Sequence, residues 1–290
     1  MYRNFQLKTE IKLTGYEWKS DRAESVVCLV HGIGEHAGRY DRTGEALKES
    51  GISMVGIDLR GHGLSPGTRG HTSPRKAILN DIDGLIEYSR RKYPDIPLFL
   101  YGHSMGGNIV LDYRKRGGYR SAPEGYIATS PWIMLQRKIP KPLYWFSETV
   151  SKFKPDFQMN TKIRNEALGN ADVISKQENR HLMHGKISVK TALEGIKIAN
   201  SLMDGSLEVS GQEPLKPFLL MQGDADMICS PEGSRLLAEL EKDHCLYIEW
   251  KGLFHEIHNG SPDSDGMEVI HAMIEWIKKL SSGSGAPSRL

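Results

Sequence analysis

One stretch limits what this chain can fold into more than any other: Pro97-Leu98-Phe99-Leu100-Tyr101-Gly102-His103-Ser104-Met105-Gly106-Gly107. An apolar run that reads as a buried strand stops at Gly102, and a helix-compatible run, Asn108-Ile109-Val110-Leu111-Asp112-Tyr113, follows. Between them Gly102-His103-Ser104-Met105-Gly106 fills the pattern G-x-S-x-G. A serine hydroxyl is a poor nucleophile until it is exposed, aimed and supplied with a base. A sharp strand-to-helix turn provides exposure and aim. It strains the serine backbone, and it needs small neighbours two positions away on either side so that strand and helix can approach. The helix start after Ser104 also presents free N–H groups to any negative charge forming there. An ordinary glycine-rich loop is the bland alternative, and it accounts for neither the strand before nor the helix after.

The rest of the chain supplies more of the same alternation. Residues 5–19 alternate loosely, with a turn signal at Thr14-Gly15, and suggest a hairpin at a sheet edge. Ser25–Val30 and Ile52–Ile57 are continuous apolar runs, the pattern of strands covered on both faces. A helix is expected over 41–50, stopped by Gly51, and a long one from Ser73 as N-cap, with Pro74 at its first position, to Tyr93. A short strand is expected at Gly125–Ser130. Over 131–216 no strand is expected, only a helix from Ser188 to Met203. That interval is too long for a plain loop and reads as a structured insertion. A strand at 217–222, a helix at 231–242, a strand at 244–250 and a helix near 265–280 resume the core, and 281–290 reads as a disordered tail. Strands alternating with helices imply an α/β fold with a mostly parallel sheet. The divisions are therefore core 1–130, insertion 131–216, core 217–280 and tail 281–290.

Composition narrows the partners. A net charge of +2 over 290 residues gives no reason to expect nucleic acid. Cys28, Cys229 and Cys245 are odd in number and widely spaced, and Cys28 and Cys245 sit in apolar runs, so buried thiols in a reducing compartment are expected. With no membrane-length apolar run and no apolar core at the N-terminus, the chain reads as cytoplasmic. His31, His36, His62, His71 and His103 fall on separate loops without metal-ligand spacing, and Gly102 to Gly107 is not a dinucleotide fingerprint. No metal or cofactor is expected.

An activated serine needs a base and a group to orient it. Two loops after late strands offer them: Gly223-Asp224-Ala225-Asp226 and Lys251-Gly252-Leu253-Phe254-His255-Glu256. Spacing does not separate Asp224 from Asp226, and His258 is a weaker rival to His255. The oxyanion of a tetrahedral intermediate needs N–H donors. The Met105 amide, directly after the serine, and the Ile33 amide in His31-Gly32-Ile33-Gly34 are the candidates.

Three segments together carry a family resemblance: His31-Gly32-Ile33-Gly34-Glu35-His36-Ala37-Gly38-Arg39-Tyr40, Asp58-Leu59-Arg60-Gly61-His62-Gly63-Leu64-Ser65, and Gly102-His103-Ser104-Met105-Gly106-Gly107. With them the chain resembles the monoacylglycerol lipase and lysophospholipase branch of the α/β-hydrolase superfamily over about residues 5–280. The resemblance implies an eight-stranded, mostly parallel sheet with helices on both faces and 131–216 as a helical cap. It matches the acid to Asp226 and the base to His255. It also implies a serine esterase that cleaves monoacylglycerols or similar single-chain lipid esters through an acyl-enzyme. A lysophospholipase or short-chain carboxylesterase is the enzymatic alternative, and a ligand-binding receptor on the same fold is the non-enzymatic one. In the insertion, Leu143, Tyr144, Trp145, Phe146, Val150, Phe153 and Phe157 crowd among lysines. Trp145 and Phe146 are thus candidates for substrate contact, and the cap for transient contact with a lipid surface.

Overall fold

The computed structural model describes residues 2–177 and 179–283. The chain opens with the hairpin β1 (Arg3–Lys8) and β2 (Lys12–Trp18), followed by β3 (Ser25–Val30), α1 (Asp41–Glu49), β4 (Ile52–Ile57), α2 (Arg75–Lys92), β5 (Leu98–His103), α3 (Met105–Arg116) and β6 (Gly125–Thr129). Then come α4 (Lys141–Phe153), β7 (Gln158–Asn160), α5 (Ala171–Ser175), β8 (Lys186–Ser188) and α6 (Val189–Met203). The chain closes with β9 (Phe218–Gly223), α7 (Pro231–Leu240), β10 (Cys245–Trp250) and α8 (Met267–Ser281). Eight strands form one sheet in the order β1-β2-β4-β3-β5-β6-β9-β10. The β1/β2 and β2/β4 pairs are antiparallel and the others parallel.

The central strands β3, β4, β5, β6 and β9 are buried at every position, which is why their sequences are unbroken apolar runs. Alternate residues feed two cores. Val26, Cys28 and Val30 of β3 pack with Ile82 and Leu85 of α2 and Ile109 and Val110 of α3. Val27 and Leu29 face the opposite way, toward Leu47 of α1 and Val269, Met273 and Ile277 of α8. Each such side chain contributes about 1.5–3 kcal/mol of burial. The parallel strands all end at one edge, and the loops after β3, β5, β9 and β10 converge there.

Three local expectations are corrected. The hairpin turn lies at residues 9–11, not at Thr14-Gly15, because Gly15 sits inside β2 opposite Phe5. A Cβ there would lie 2.2 Å from the Phe5 ring, so the glycine makes room for that ring. Helix α2 is capped by Pro74, one residue later than expected, and the Ser73 hydroxyl reaches Glu194 Oε1 in α6 instead (3.1 Å). The interval 131–216 does contain strands: β7 and β8 form a small antiparallel pair, too short for a periodic pattern to show. The last helix runs to Ser281, and residues 284–290 of the expected disordered tail lie outside the described residues.

Candidate active site

Ser104 occupies the turn between β5 and α3 with φ 56° and ψ −116°, a left-handed conformation that L residues rarely adopt. Such strain costs about 1–3 kcal/mol and persists only where the surroundings over-determine it. Here the Ser104 N–H donates to the Thr129 carbonyl (3.0 Å), and the Ser104 carbonyl accepts from Asn108 (3.1 Å) and Trp132 (2.9 Å). The small neighbours are steric necessities. A Cβ on Gly102 would stand 2.3 Å from the Gly106 carbonyl oxygen, and one on Gly106 would stand 2.0 Å from the Val30 carbonyl oxygen.

Two later loops complete the constellation. His255 Nε2 lies 2.9 Å from Ser104 Oγ, and His255 Nδ1 lies 2.8 Å from Asp226 Oδ2. Asp226 is itself held: its Oδ1 accepts from the Ile228 (2.8 Å) and Cys229 (2.9 Å) N–H groups, and its Oδ2 accepts from Gln222 Nε2 (2.9 Å). The Ser234 hydroxyl donates to Gln222 Oε1 (2.9 Å) and fixes that amide in turn. Burial disfavours charge on the His255 ring, but the adjacent Asp226 carboxylate outweighs it and raises the pKa above the usual histidine value. The two rivals go elsewhere. Asp224 is exposed and accepts the Gly252 N–H (2.6 Å). His258 is buried, its ring stacks on Tyr40 at 5.0 Å, and burial pushes its pKa down to about 4.

The loop after β3 brings Ile33 to the same place. Ile33 and Ser104 line a common cavity, and Met105, as the first residue of α3, has an N–H with no carbonyl partner four residues back within the helix. Beneath this loop lies a charged network that sequence reasoning did not single out. The buried Arg39 guanidinium donates from Nη1 and Nη2 to the two Glu256 oxygens (2.7 and 2.9 Å) and from Nη1 to Glu35 Oε2 (2.7 Å). Its Nε donates to Gln177 Oε1 (2.7 Å). Glu35 Oε1 accepts the Gly32 N–H (2.5 Å) and the Tyr40 hydroxyl (2.8 Å). Arg39 therefore ties the Ile33 loop to the loop bearing His255. Both carboxylates are buried, yet they shift in opposite directions. Burial raises the Glu35 pKa, whereas at Glu256 the two-pronged Arg39 contact overcomes burial and lowers it. The only sequence signal for this was a pair of opposite charges, Glu35 and Arg39, four residues apart within the histidine- and glycine-rich segment. Asp58 is likewise structural, accepting N–H groups from Ala37 and Leu64 (2.8 Å each).

Two cavities meet at Ser104. The larger, about 1230 Å³, has apolar walls that include Trp132, Leu135, Leu143, Met159, Ile187 and Ile228. The smaller, about 240 Å³, is more polar, with Thr161, Asn165, His184, Glu35, Arg39 and Glu256 in its wall. Trp145 and Phe146, the expected candidates for substrate contact, line neither cavity and are exposed. On α4 the cavity takes Leu143, while Trp145, Phe146 and Phe153 face outward.

Comparison with known proteins adds relatives to this geometry. The family described as Serine aminopeptidase, S33 matches residues 21–262. Phospholipase YtpA of Bacillus subtilis is 31% identical over 265 residues, spanning 90% of this chain and 98% of that protein. The Mus musculus monoglyceride lipase is 28% identical, over 93% of this chain and 88% of that one. The crystal structure of the Paleococcus ferrophilus monoacylglycerol lipase superimposes with a TM-score of 0.80 at 30% identity, covering 93% of this chain and 99% of that one.

Proposed function

This chain belongs to the Serine aminopeptidase, S33 family and is a carboxylic ester hydrolase of the α/β-hydrolase fold; from that premise we propose that it cleaves monoacylglycerols through Ser104, His255 and Asp226. The observation that carries the reading is the Ser104–His255–Asp226 hydrogen-bonded line at the meeting point of a large apolar cavity and a small polar one. Residues 131–216 act as the cap over that site.

Neutral His255 takes the Ser104 proton as Oγ attacks the ester carbonyl carbon, and Asp226 holds the ring tautomer and stabilises the imidazolium that results. The oxyanion is received by the Ile33 and Met105 N–H groups. As the intermediate collapses, the bond to the alcohol oxygen breaks and His255 returns the proton to that oxygen, leaving an acyl-enzyme. Water then gives a proton to His255 and attacks the acyl carbon. The fatty acid departs and the proton returns to Ser104.

The apolar cavity suits the acyl chain and the small one the alcohol. Arg39, the cation in the wall of the small cavity, is already engaged by two carboxylates. A neutral glycerol hydroxyl fits there better than a phosphate, which favours monoacylglycerol over lysophospholipid as substrate. Substrate reaches the site by transient contact of the cap with lipid.

The test is turnover of 1-monoacylglycerols, lysophosphatidylcholine and p-nitrophenyl esters of rising chain length, with fluorophosphonate labelling of the native enzyme and Ser104→Ala. Preference for medium or long monoacylglycerols and loss of labelling in the variant support the reading. Activity confined to the shortest esters, or labelling that survives the substitution, overturns it.

A further inference from the structure

Strand β9 carries one polar side chain in a run that is otherwise apolar. Phe218, Leu219, Leu220 and Met221 precede Gln222, and all five are fully buried. An amide taken out of water costs free energy unless its hydrogen bonds are replaced, so its partners define its role. Gln222 Nε2 donates to Asp226 Oδ2 (2.9 Å) and to the Gly223 carbonyl (3.3 Å), and Oε1 accepts the Ser234 hydroxyl (2.9 Å). Chemistry fixes that orientation. An ionised carboxylate only accepts, so the amide nitrogen must face Asp226, which leaves the amide oxygen to the Ser234 hydroxyl. Ser234 is itself buried, in α7.

The oxygen that takes the Gln222 amide is also the one that takes the His255 ring. Asp226 Oδ1 is occupied by the Ile228 and Cys229 N–H groups, so that side of the carboxylate stays pinned whatever stands at position 222. On Oδ2, Gln222 Nε2 and His255 Nδ1 (2.8 Å) share one concentration of negative charge. A donor that stabilises the carboxylate draws on the same charge that stabilises the imidazolium. The other groups facing His255 do not touch Gln222. From the turn after β5 come Ser104 Oγ (2.9 Å) and the His103 ring, 4.9 Å away between centroids and held neutral by burial. Glu35, from the loop after β3, and Glu256, beside His255, are both tied to Arg39. Burial likewise pushes His258 down to about 4 and keeps the Cys229 thiol beside Asp226 protonated. The segment 131–216 brings the uncharged Ala167 carbonyl, which accepts the His255 backbone N–H (3.4 Å).

We propose that Gln222, anchored by Ser234, is a positioning residue: acting through Asp226, it sets the pH at which His255 becomes a competent base. This deepens the Ser104–His255–Asp226 reading above and rests on it. The sign follows from the geometry. Without the amide, the carboxylate keeps its place through Oδ1 and offers the whole charge of Oδ2 to His255. The imidazolium is then better stabilised, and the ring gives up its proton only at higher pH. The native amide thus holds deprotonation of the ring down toward neutral pH, where a general base is most effective. A residue that merely filled space beneath the loop would lower activity at every pH alike.

The experiment compares Gln222→Met, Ser234→Ala and the double variant with the native chain. Hydrolysis of a water-soluble short ester gives kcat/KM against pH. The downfield proton resonance of His255 Nδ1–H, assigned by its absence in His255→Gln, gives the titration of the ring by NMR without turnover. Gln222→Met keeps the length of the side chain and removes the amide. It should move both the acid limb and the ring titration upward by roughly half a pH unit or more. On that limb kcat/KM should fall by roughly 3-fold or more, and on the alkaline plateau it should return to within about 2-fold of native. Ser234→Ala frees the amide to turn and should shift both readouts the same way by less. Adding it to Gln222→Met should add nothing, because both act through one contact. If Gln222→Met does not fold, Ser234→Ala decides alone. If the native chain hydrolyses no ester, the enzymatic reading fails, while the ring titration still reports on Gln222. An unchanged or downward-shifted ring titration in the folded variants, or a loss of kcat/KM equal at every pH, overturns the proposal.

Discussion

Replacing Arg39 with methionine tests whether the buried charges between the two active-site loops act as one unit. Methionine keeps much of the stem volume and removes four hydrogen bonds: two to Glu256, one to Glu35 and one to Gln177. It strands two carboxylates in the interior, and losing one partner of a buried ion pair costs about 3–5 kcal/mol. At roughly 2–4 °C per kcal/mol for a chain of this order of size, the melting temperature should fall by about 10 °C. The pH dependence separates charge from packing. Arg39 holds Glu256 well below the usual carboxylate range, so that group stabilises the native chain above its unfolded pKa and the benefit disappears as pH falls. Without the guanidinium, burial raises both carboxyls. Their ionised forms then destabilise the fold, and acid relieves them. The deficit of the variant should be largest near pH 8 and shrink steadily toward pH 5 in denaturant melts. Glu256→Gln added to the variant should recover part of it. A deficit that is flat with pH, or smaller than about 1 kcal/mol, would refute this reasoning and reduce Arg39 to a space-filler.

Four further outcomes follow. Asp226→Asn should lower kcat by about 10⁴-fold, while Asp224→Asn should change it by no more than a few-fold, since Asp224 only accepts the exposed Gly252 N–H. In the native enzyme kcat/KM should fall as pH drops through a value above the usual histidine pKa, because His255 must be neutral to act and Asp226 raises its pKa. The same substitution of Asp226 should shift that acid limb to lower pH. Gly106→Ala should unfold or severely destabilise the chain, by about 3 kcal/mol or more in melts, because its Cβ would meet the Val30 carbonyl at 2.0 Å and β3 has no room to retreat.

What the sequence by itself determined follows from local physics. Strands covered on both faces must be apolar at every position, so β3, β4, β5 and β9 were legible as runs. Likewise, a serine on a strained strand-to-helix turn needs small flanking residues, so the turn at Ser104 was legible from Gly102 and Gly106. The helix expected from Ser188 to Met203 is present as well, with Ser188 as its N-cap.

Tertiary structure decided whatever depends on what lies opposite. Asp224 and Asp226 are equivalent in spacing, and only the approach of the β9 and β10 loops puts Asp226 against His255. Gly15 reads equally well as a turn residue or as the floor beneath a ring, and the register with Phe5 selects the second. Arg39 and Glu256 are 217 residues apart, too far for any local pattern to pair them. The aromatic residues of α4 were visible as a cluster, but a cluster does not say which way it faces. The packing settles it: Ser147, Tyr144 and Ser151 take the inner side, and Trp145, Phe146 and Phe153 face outward.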